Sequence, residues 1–160
     1  MSSTITSFDK VLRLLTENKI EFILIGGLAA IYHGSARLTQ DVDVVYSRNS
    51  ENLTRLCNAL KPINPYLRGA PKNLPFIFDL ETLKNGLNFT FVSDLGSIDL
   101  LGEVVGGGRY EDLIKNSIEI KMEENIFLCV NLEKLIELKR FAGRAKDLEA
   151  IAELELLKDS

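Results

Sequence analysis

Apolar residues in the first part of the chain alternate between helical and strand spacing. A stripe of apolar residues follows Ser7, a suitable helix N-cap, and predicts a first helix that ends near residue 18. The β-branched and aromatic run over residues 22–25 predicts a buried strand that ends in the tight turn Gly26-Gly27. The pattern then predicts a short helix over residues 28–33, a loop over 35–40, a strand over 41–46 and a helix from Asn49 or Ser50 to about residue 60.

Prolines interrupt this pattern in the middle of the chain. All 4 prolines fall within residues 61–75, which we therefore predict as a surface loop or lid within the domain. Strand spacing resumes over residues 87–92 and 97–104, which a turn at 94–96 separates, and again over 118–122 and 126–130. Helical spacing predicts a short helix over residues 110–115 and two C-terminal helices, one from residue 132 to an interruption at Gly143 and one over 146–157.

The order of these elements predicts an α/β (α+β) fold, in which a mixed β-sheet is flanked by helices and followed by C-terminal helices. A chain of 160 residues is long enough for one domain with a core and too short for two ordinary ones. We therefore expect a single domain over residues 1–160. Apolar residues make up 46% of the chain and charged residues 26%, which is ordinary for a soluble globular protein.

Charge and cysteine content exclude some classes of function. A net charge of −4 argues against a protein whose main task is general nucleic-acid binding, although a local basic patch is compatible with it. Cys57 and Cys129 lie in regular apolar segments without metal-ligand or redox spacing, so we expect buried free thiols and a cytoplasmic location. The longest apolar run, over residues 22–32, is about half of a membrane span, and no secretion signal is recognisable. No membrane association is expected.

Two aspartates in the strand over residues 41–46 are the main candidates for chemistry. Asp41 and Asp43 are two residues apart, so their side chains share one face of the strand while Val42 and Val44 face the core. Adjacent carboxylates repel each other unless a cation or a proton intervenes, and Mg²⁺ binds to such a pair together with water and substrate phosphates. Gly26-Gly27, where a strand leads into a helix, leaves backbone N–H groups free to bind an anion. Together these features predict a site for a nucleoside triphosphate.

An apolar strand, Gly-Gly, about a dozen residues and D-x-D resemble the signature of the DNA polymerase β-like nucleotidyltransferase superfamily. In that superfamily a neighbouring strand carries a third carboxylate, for which Asp99 in the apolar segment SIDLL is the candidate. The spacing G-G-x-A-x-x-x-H-G-x-x-R-x-T-x-D-x-D over residues 26–43 is similar to that of small stand-alone members, which include relatives of abortive-infection toxins. The segments LIELK and GRAKD near the end match a late lysine and an R-x-K-D turn of the same group.

The resemblance implies transfer of a nucleoside monophosphate from a triphosphate, such as ATP, to an acceptor hydroxyl, with two Mg²⁺ ions serving the attacking and leaving oxygens. It implies that Asp41, Asp43 and Asp99 hold the metal, with Asp99 also a candidate general base. The acceptor could be RNA such as tRNA, a protein side chain or a small molecule such as an aminoglycoside. The candidates for binding the nucleotide are Gly26, Gly27, Arg37, Thr39, Lys139, Arg144 and Lys146.

Other functions fit the same residues. The chain could be a non-catalytic nucleotide-binding or partner-binding module, for example one component of a toxin–antitoxin pair. A partner protein or a homodimer could also supply the acceptor site, because the chain shows no second domain. A structural domain whose acidic pair binds cations adventitiously is the third hypothesis.

Several candidate residues also have ordinary structural explanations. Lys139, Arg144 and Lys146 could form a solvated helix face, and Arg37 and Thr39 could stabilise a loop. His33, the only histidine, precedes Gly34 and is expected to be a helix-terminal residue rather than a catalytic one. The glycines at 106–108 lack a P-loop pattern and are expected to form a loop. A basic cluster in the C-terminal region could contact RNA phosphates, although acidic residues are interspersed with it; its members are Lys134, Lys139, Arg140, Arg144 and Lys146.

Overall fold

The structure is a computed structural model, and it describes residues 5–71 and 73–160. Its elements agree closely with the spacing of apolar residues along the chain. In chain order they are α1 (Phe8–Glu17), β1 (Phe22–Ile25), α2 (Gly26–Tyr32), β2 (Asp41–Tyr46), α3 (Ser50–Leu60), β3 (Tyr66–Leu67), α4 (Leu80–Asn85), β4 (Asn88–Ser93), β5 (Gly96–Leu101), α5 (Tyr110–Leu113), β6 (Ser117–Met122), β7 (Asn125–Val130), α6 (Leu132–Ala142) and α7 (Ala145–Lys158).

The strands form a 7-stranded mixed sheet in the order β3-β4-β5-β2-β1-β7-β6. Strand β2 lies near the middle, antiparallel to β1 on one side and parallel to β5 on the other. Helix α2 connects β1 to β2 and packs on both strands, and it also contacts α6, which packs on α7. The predicted α/β fold with flanking and C-terminal helices is confirmed, and this topology places the start of β2 beside the junction between α6 and α7.

The core fixes which face of β2 carries its aspartates. Val42 and Val44 are 0% and 1% exposed, and every residue of β1 is also buried. Because side chains alternate along a strand, Asp41 and Asp43 project from the opposite face. Burying each valine stabilises the fold by roughly 1.5–3 kcal/mol, so a shift of register by one residue, which would bury the aspartates instead, is strongly disfavoured.

The proline-rich segment is more ordered than the sequence predicts. The loop prediction for residues 61–75 is wrong at two points, because Lys61–Ile63 forms a 3-10 turn and Tyr66–Leu67 forms the edge strand β3. Strand β3 pairs with β4, with Leu67 opposite Phe91. Prolines lack an N–H donor, and an edge strand between Pro65 and Pro71 tolerates this because one side of the strand has no partner to bond.

Smaller differences concern element ends and glycines. Helix α2 begins at Gly26, two residues earlier than predicted, and β5 ends at Leu101 rather than near residue 104. The predicted helix over residues 110–115 is a single turn, α5, followed by a 3-10 turn over Ile114–Asn116.

The structure also bears on the predicted free cysteines and on the question of a membrane span. Cys57 and Cys129 are buried free thiols, as expected, and burial raises the pKa of both. Among the described residues, no helix combines the length and the apolar composition needed to cross a membrane.

Candidate metal and nucleotide site

Three aspartates converge where β2 and β5 lie side by side. The parallel register of the two strands places Asp43 directly opposite Asp99, and Asp41 is two residues before Asp43 on the same face. One carboxylate oxygen from each of the three lies within 4.8 Å of the others. The sequence predicted these three residues as a group, and the structure brings them together.

The surroundings of Asp43 are unfavourable for an ionised carboxylate. Oδ1 of Asp43 is buried and has no hydrogen-bond partner among the residues that the structure describes. Burial, followed by the negative charges of Asp99 and Asp41, raises the pKa of Asp43 to about 7, against the opposing positive charge of Arg68. An unpartnered buried oxygen among three hard oxygen donors is the arrangement that a divalent cation would satisfy. The residues therefore fit a site for Mg²⁺ or a similar ion.

An arginine that was not predicted from the sequence lies against two of the three aspartates. Arg68 follows β3, and its Nη2 lies 2.5 Å from Oδ1 of Asp99 and 3.9 Å from Oδ1 of Asp41. Its backbone N–H donates to the carbonyl oxygen of Thr90, which continues the pairing of β3 with β4. The only signal in the sequence was an arginine between two prolines, which does not distinguish this contact from a loop residue.

The two glycines after β1 make room for the site itself. Gly26 has a φ of +74°, a left-handed conformation, and a Cβ on it would collide with the carboxylate of Asp43. A Cβ on Gly27 would lie 2.6 Å from Oγ1 of Thr39. The sequence predicts that these glycines leave backbone N–H groups free for an anion, whereas the structure shows that they first allow α2 to approach Asp43 and Thr39.

A cleft extends from the aspartates to the junction between α6 and α7. It is lined by nine of the predicted site residues, namely Gly26, Gly27, Arg37, Thr39, Asp41, Asp43, Lys139, Arg144 and Lys146. Asp99 is the tenth and adjoins the cleft through Asp43. The cleft therefore brings the aspartates of β2 together with three basic residues near the junction between α6 and α7, Lys139, Arg144 and Lys146, which we call the basic wall. The roles of the individual residues stay predictions.

The basic wall is organised by a buried carboxylate. Asp147, 2% exposed, lies in the first turn of α7 and accepts hydrogen bonds from the backbone N–H of Arg144 at 3.1 Å and from its Nε at 2.6 Å. This contact raises the pKa of Arg144. Burial lowers the pKa of Lys139, while the charges of Asp147 and Asp43 oppose that shift. The ammonium group of Lys139 is therefore partly desolvated inside the cleft.

Helix α7 also holds the loop between α2 and β2. Glu153 accepts hydrogen bonds from Oγ of Ser35 at 2.6 Å and from the backbone N–H of Ala36 at 3.0 Å. Arg37 forms an ion pair with Glu149 at 3.5 Å, and both side chains are largely exposed. Arg37 therefore lies at the rim of the cleft and Thr39 deeper inside it. Ser35 and Glu153 line the cleft and were not predicted, because a serine and a glutamate so far apart in sequence carry no local signal.

His33 and the triple glycine lie outside the cleft. His33 is the C-cap of α2, and its Nε2 lies 2.8 Å from the carbonyl oxygen of Val130. The expectation of a helix-terminal residue is therefore confirmed. Gly106 and Gly108 both have positive φ in a tight loop that Val104 and Gly108 close, in agreement with the loop prediction.

Two solved structures share this fold over nearly the whole chain. The lincosamide antibiotic adenylyltransferase LnuA, in its lincomycin-bound crystal structure, has a TM-score of 0.62 at 15% identity and covers 97% of this chain and 99% of its own. TM1012 from Thermotoga maritima, a protein assigned as a nucleotidyltransferase, has a TM-score of 0.55 at 12% identity, with 98% of each chain covered. No protein-family model matches the chain, and no curated protein matches it significantly. The chain therefore shares the fold of these two proteins, which is consistent with the fold that the resemblance implied.

Proposed function

We propose that this protein is a metal-dependent nucleotidyltransferase, which moves a nucleoside monophosphate from a triphosphate to an acceptor hydroxyl. One observation carries the proposal. Three carboxylates from two adjacent strands have oxygens within 4.8 Å of each other, and Asp43 has a buried oxygen without a partner among the described residues. Repulsion between carboxylates at this distance destabilises a fold unless a cation or a proton neutralises part of their charge. The shared fold with LnuA supports the same chemistry.

Asp41 and Asp43 are the residues that would hold the ion, with Asp99 beside them. When bound, Mg²⁺ would neutralise triphosphate charge and stabilise the oxygens that gain charge during transfer. Asp43 must lose its proton to bind a cation, so metal affinity rises as the pH passes about 7, the pKa of Asp43. The family resemblance implies two ions, and the position of Arg68 affects whether a second ion can bind.

The basic wall would bind the triphosphate. Lys139, Arg144 and Lys146 face the aspartates across the cleft, so their charges complement the β- and γ-phosphates when the α-phosphate lies at the triad. Asp147 holds the guanidinium of Arg144 in place before any ligand arrives. Preorganisation of this kind lowers the cost of ordering a long side chain when the ligand binds.

The reaction would exchange one P–O bond for another at the α-phosphorus. The acceptor oxygen forms a bond to the phosphorus, the bond to the bridging oxygen of the β-phosphate breaks, and pyrophosphate leaves. Asp99 lies on β5 and does not line the cleft with the basic residues, so we assign it to the acceptor side, where it would orient the acceptor hydroxyl and receive its proton.

A small-molecule hydroxyl is the acceptor that we favour. The alternative of RNA depends on the C-terminal basic cluster, but two of its members outside the cleft are paired with carboxylates, Lys134 with Glu137 and Arg140 with Glu155. Paired cations make a weaker surface for a phosphate backbone than free ones. LnuA, which shares the fold over its whole length, is an adenylyltransferase for a lincosamide antibiotic.

The proposal can be tested by transfer of a label. The four nucleoside triphosphates, each labelled at the α-phosphate, are incubated with Mg²⁺ and either a lincosamide, an aminoglycoside, total tRNA or a protein extract. We expect label to enter one acceptor class with wild-type protein and none with Asp43→Asn. Binding of triphosphate without transfer to any class would favour the non-catalytic module instead.

Lys139→Met gives a separate prediction for the basic wall. Losing one buried charge-assisted contact is expected to weaken triphosphate binding roughly 10–100-fold. Mn²⁺ affinity without nucleotide is expected to change little, because Lys139 is no metal ligand. Calorimetric titration measures both. Lys134→Met is the matched control on the same helix, since Lys134 pairs with Glu137 outside the cleft. Equal losses in the two variants would argue against a phosphate-binding role for Lys139.

A further inference from the structure

Arg68 is held in place by the strand next to it. Its backbone N–H donates to the carbonyl oxygen of Thr90 at 2.9 Å, and its Nη2 donates to the carbonyl oxygen of Phe91 at 3.1 Å. Both acceptors belong to β4, whose register with β5 places Thr90 opposite Asp99. The guanidinium group is therefore positioned by main-chain contacts and not only by the carboxylates it meets.

The same nitrogen faces two of the three aspartates. Nη2 of Arg68 lies 2.5 Å from Oδ1 of Asp99 and 3.9 Å from Oδ1 of Asp41. The pair with Asp99 is partly sheltered, since the side chains of Arg68 and Asp99 are 32% and 18% exposed. A second divalent ion at the Asp99 end of the triad would need these oxygens as ligands. The guanidinium group of Arg68, which is hydrogen-bonded to Asp99 and lies near Asp41, competes with that ion for the position and supplies positive charge in its place.

The formal charges of the triad also favour a single divalent ion. Three ionised carboxylates, one guanidinium group and one divalent ion sum to zero, whereas a second divalent ion would leave a surplus of positive charge before nucleotide binds. We propose that Arg68 is a permanent cation of the triad that takes the place of the second metal ion, so that the chain binds one divalent ion, at Asp41 and Asp43. In this arrangement Arg68 is a positioning residue, which holds the Asp99 carboxylate toward the acceptor.

This inference rests on the proposed metal site and revises the two-ion expectation. The simpler alternative is that Arg68 only ties β3 to the rest of the sheet. Ion pairs of that kind contribute up to about 1 kcal/mol when exposed, and their loss would lower stability without changing how many metal ions bind. Metal stoichiometry therefore separates the two roles.

The test is Mn²⁺ binding followed by electron paramagnetic resonance, with and without a non-hydrolysable triphosphate. We expect wild-type protein to bind one Mn²⁺ per chain. Arg68→Met keeps most of the side-chain volume but removes the charge, and it is expected to bind a second ion at least about tenfold more tightly than wild type does. Arg68→Lys restores a cation and is expected to return the stoichiometry to one. Arg55→Met, which breaks the exposed pair with Glu51, is the control and should bind one ion.

Asp99→Asn provides a second, independent readout. If the single ion is bound by Asp41 and Asp43, this variant keeps Mn²⁺ affinity within about threefold of wild type. A loss of tenfold or more would mean that Asp99 is a ligand of the ion and would overturn the inference. So would two ions in the wild type, or one ion in Arg68→Met. No Mn²⁺ binding by wild type would overturn the proposed metal site as well, which distinguishes failure of the proposed function from failure of the role of Arg68.

Discussion

Asp43→Asn is expected to stabilise the metal-free protein while it abolishes transfer. The pKa of Asp43 is raised from 3.8 to about 7 by burial and neighbouring carboxylates. Between pH 3.8 and about pH 7 the folded chain keeps a proton on Asp43 that the unfolded chain has released. The free energy of unfolding therefore falls as the pH rises through this range, and the loss is complete above about pH 7. A neutral amide removes this penalty, which is on the order of 2–4 kcal/mol at pH 8.

Thermal unfolding at pH 8 in a metal chelator measures the effect. For a chain of this size we expect Asp43→Asn to unfold roughly 5–10 °C above wild type, and the difference should vanish below about pH 4. Added Mg²⁺ is expected to raise the unfolding temperature of wild type but not of the variant, and transfer is expected to fall at least about 1000-fold.

Asp41→Asn is the matched control for this prediction. The side chain of Asp41 is 39% exposed, so its replacement should change metal-free stability little while still removing a metal ligand. A chelated Asp43→Asn protein that unfolds below wild type would contradict the account, because it would mean that the carboxylate is stabilised by partners within the fold.

Gly26→Ala is expected to damage both fold and site. Two costs combine at this position. A left-handed φ of +74° is unfavourable for alanine by about 1 kcal/mol, and the added Cβ would displace the carboxylate of Asp43. We expect the variant to lose about 2–4 kcal/mol of stability, and Mn²⁺ binding to weaken by more than about tenfold. Chemical denaturation and Mn²⁺ titration measure the two effects.

Gly143→Ala separates the backbone cost from the collision. Gly143 also has a left-handed φ, +65°, but the nearest atom to its Cβ would be the carbonyl oxygen of Arg140 at an ordinary 3.7 Å. This variant is expected to lose about 1 kcal/mol and to bind Mn²⁺ as wild type does. Similar metal affinities in Gly26→Ala and Gly143→Ala would show that Asp43 does not depend on the absence of a side chain at Gly26.

The sequence predicted the acidic half of the site because strand periodicity is a local property. Asp41 and Asp43 share a face whichever strands lie beside β2. Asp99 was identified through the family resemblance and by its place among apolar residues, where an unpaired carboxylate is costly. The parallel register that sets Asp43 opposite Asp99 could not be read from either segment alone, since it depends on how distant strands pair.

Arg68, Asp147 and Glu153 show where sequence-based prediction reached its limit. Arg68 lies in a proline-rich stretch that masked a strand of only two residues, and its contact with Asp99 joins residues 31 positions apart. Asp147 was visible as part of a terminal motif, but its burial and its hold on Arg144 follow from tertiary packing. Glu153 meets Ser35 across 118 positions, with no periodicity that links them.

Calorimetric titration of each nucleoside triphosphate tests the proposed metal-dependent nucleotide site most directly. Three conditions are compared: wild-type protein with Mg²⁺, wild-type protein with a chelator, and Asp43→Asn with Mg²⁺. We expect saturable binding of at least one triphosphate in the first condition and no binding in the other two. Absence of binding by all four triphosphates, or binding that persists undiminished when Mg²⁺ is replaced by chelator or when Asp43 is replaced by Asn, would contradict a metal-dependent nucleotide site at these aspartates.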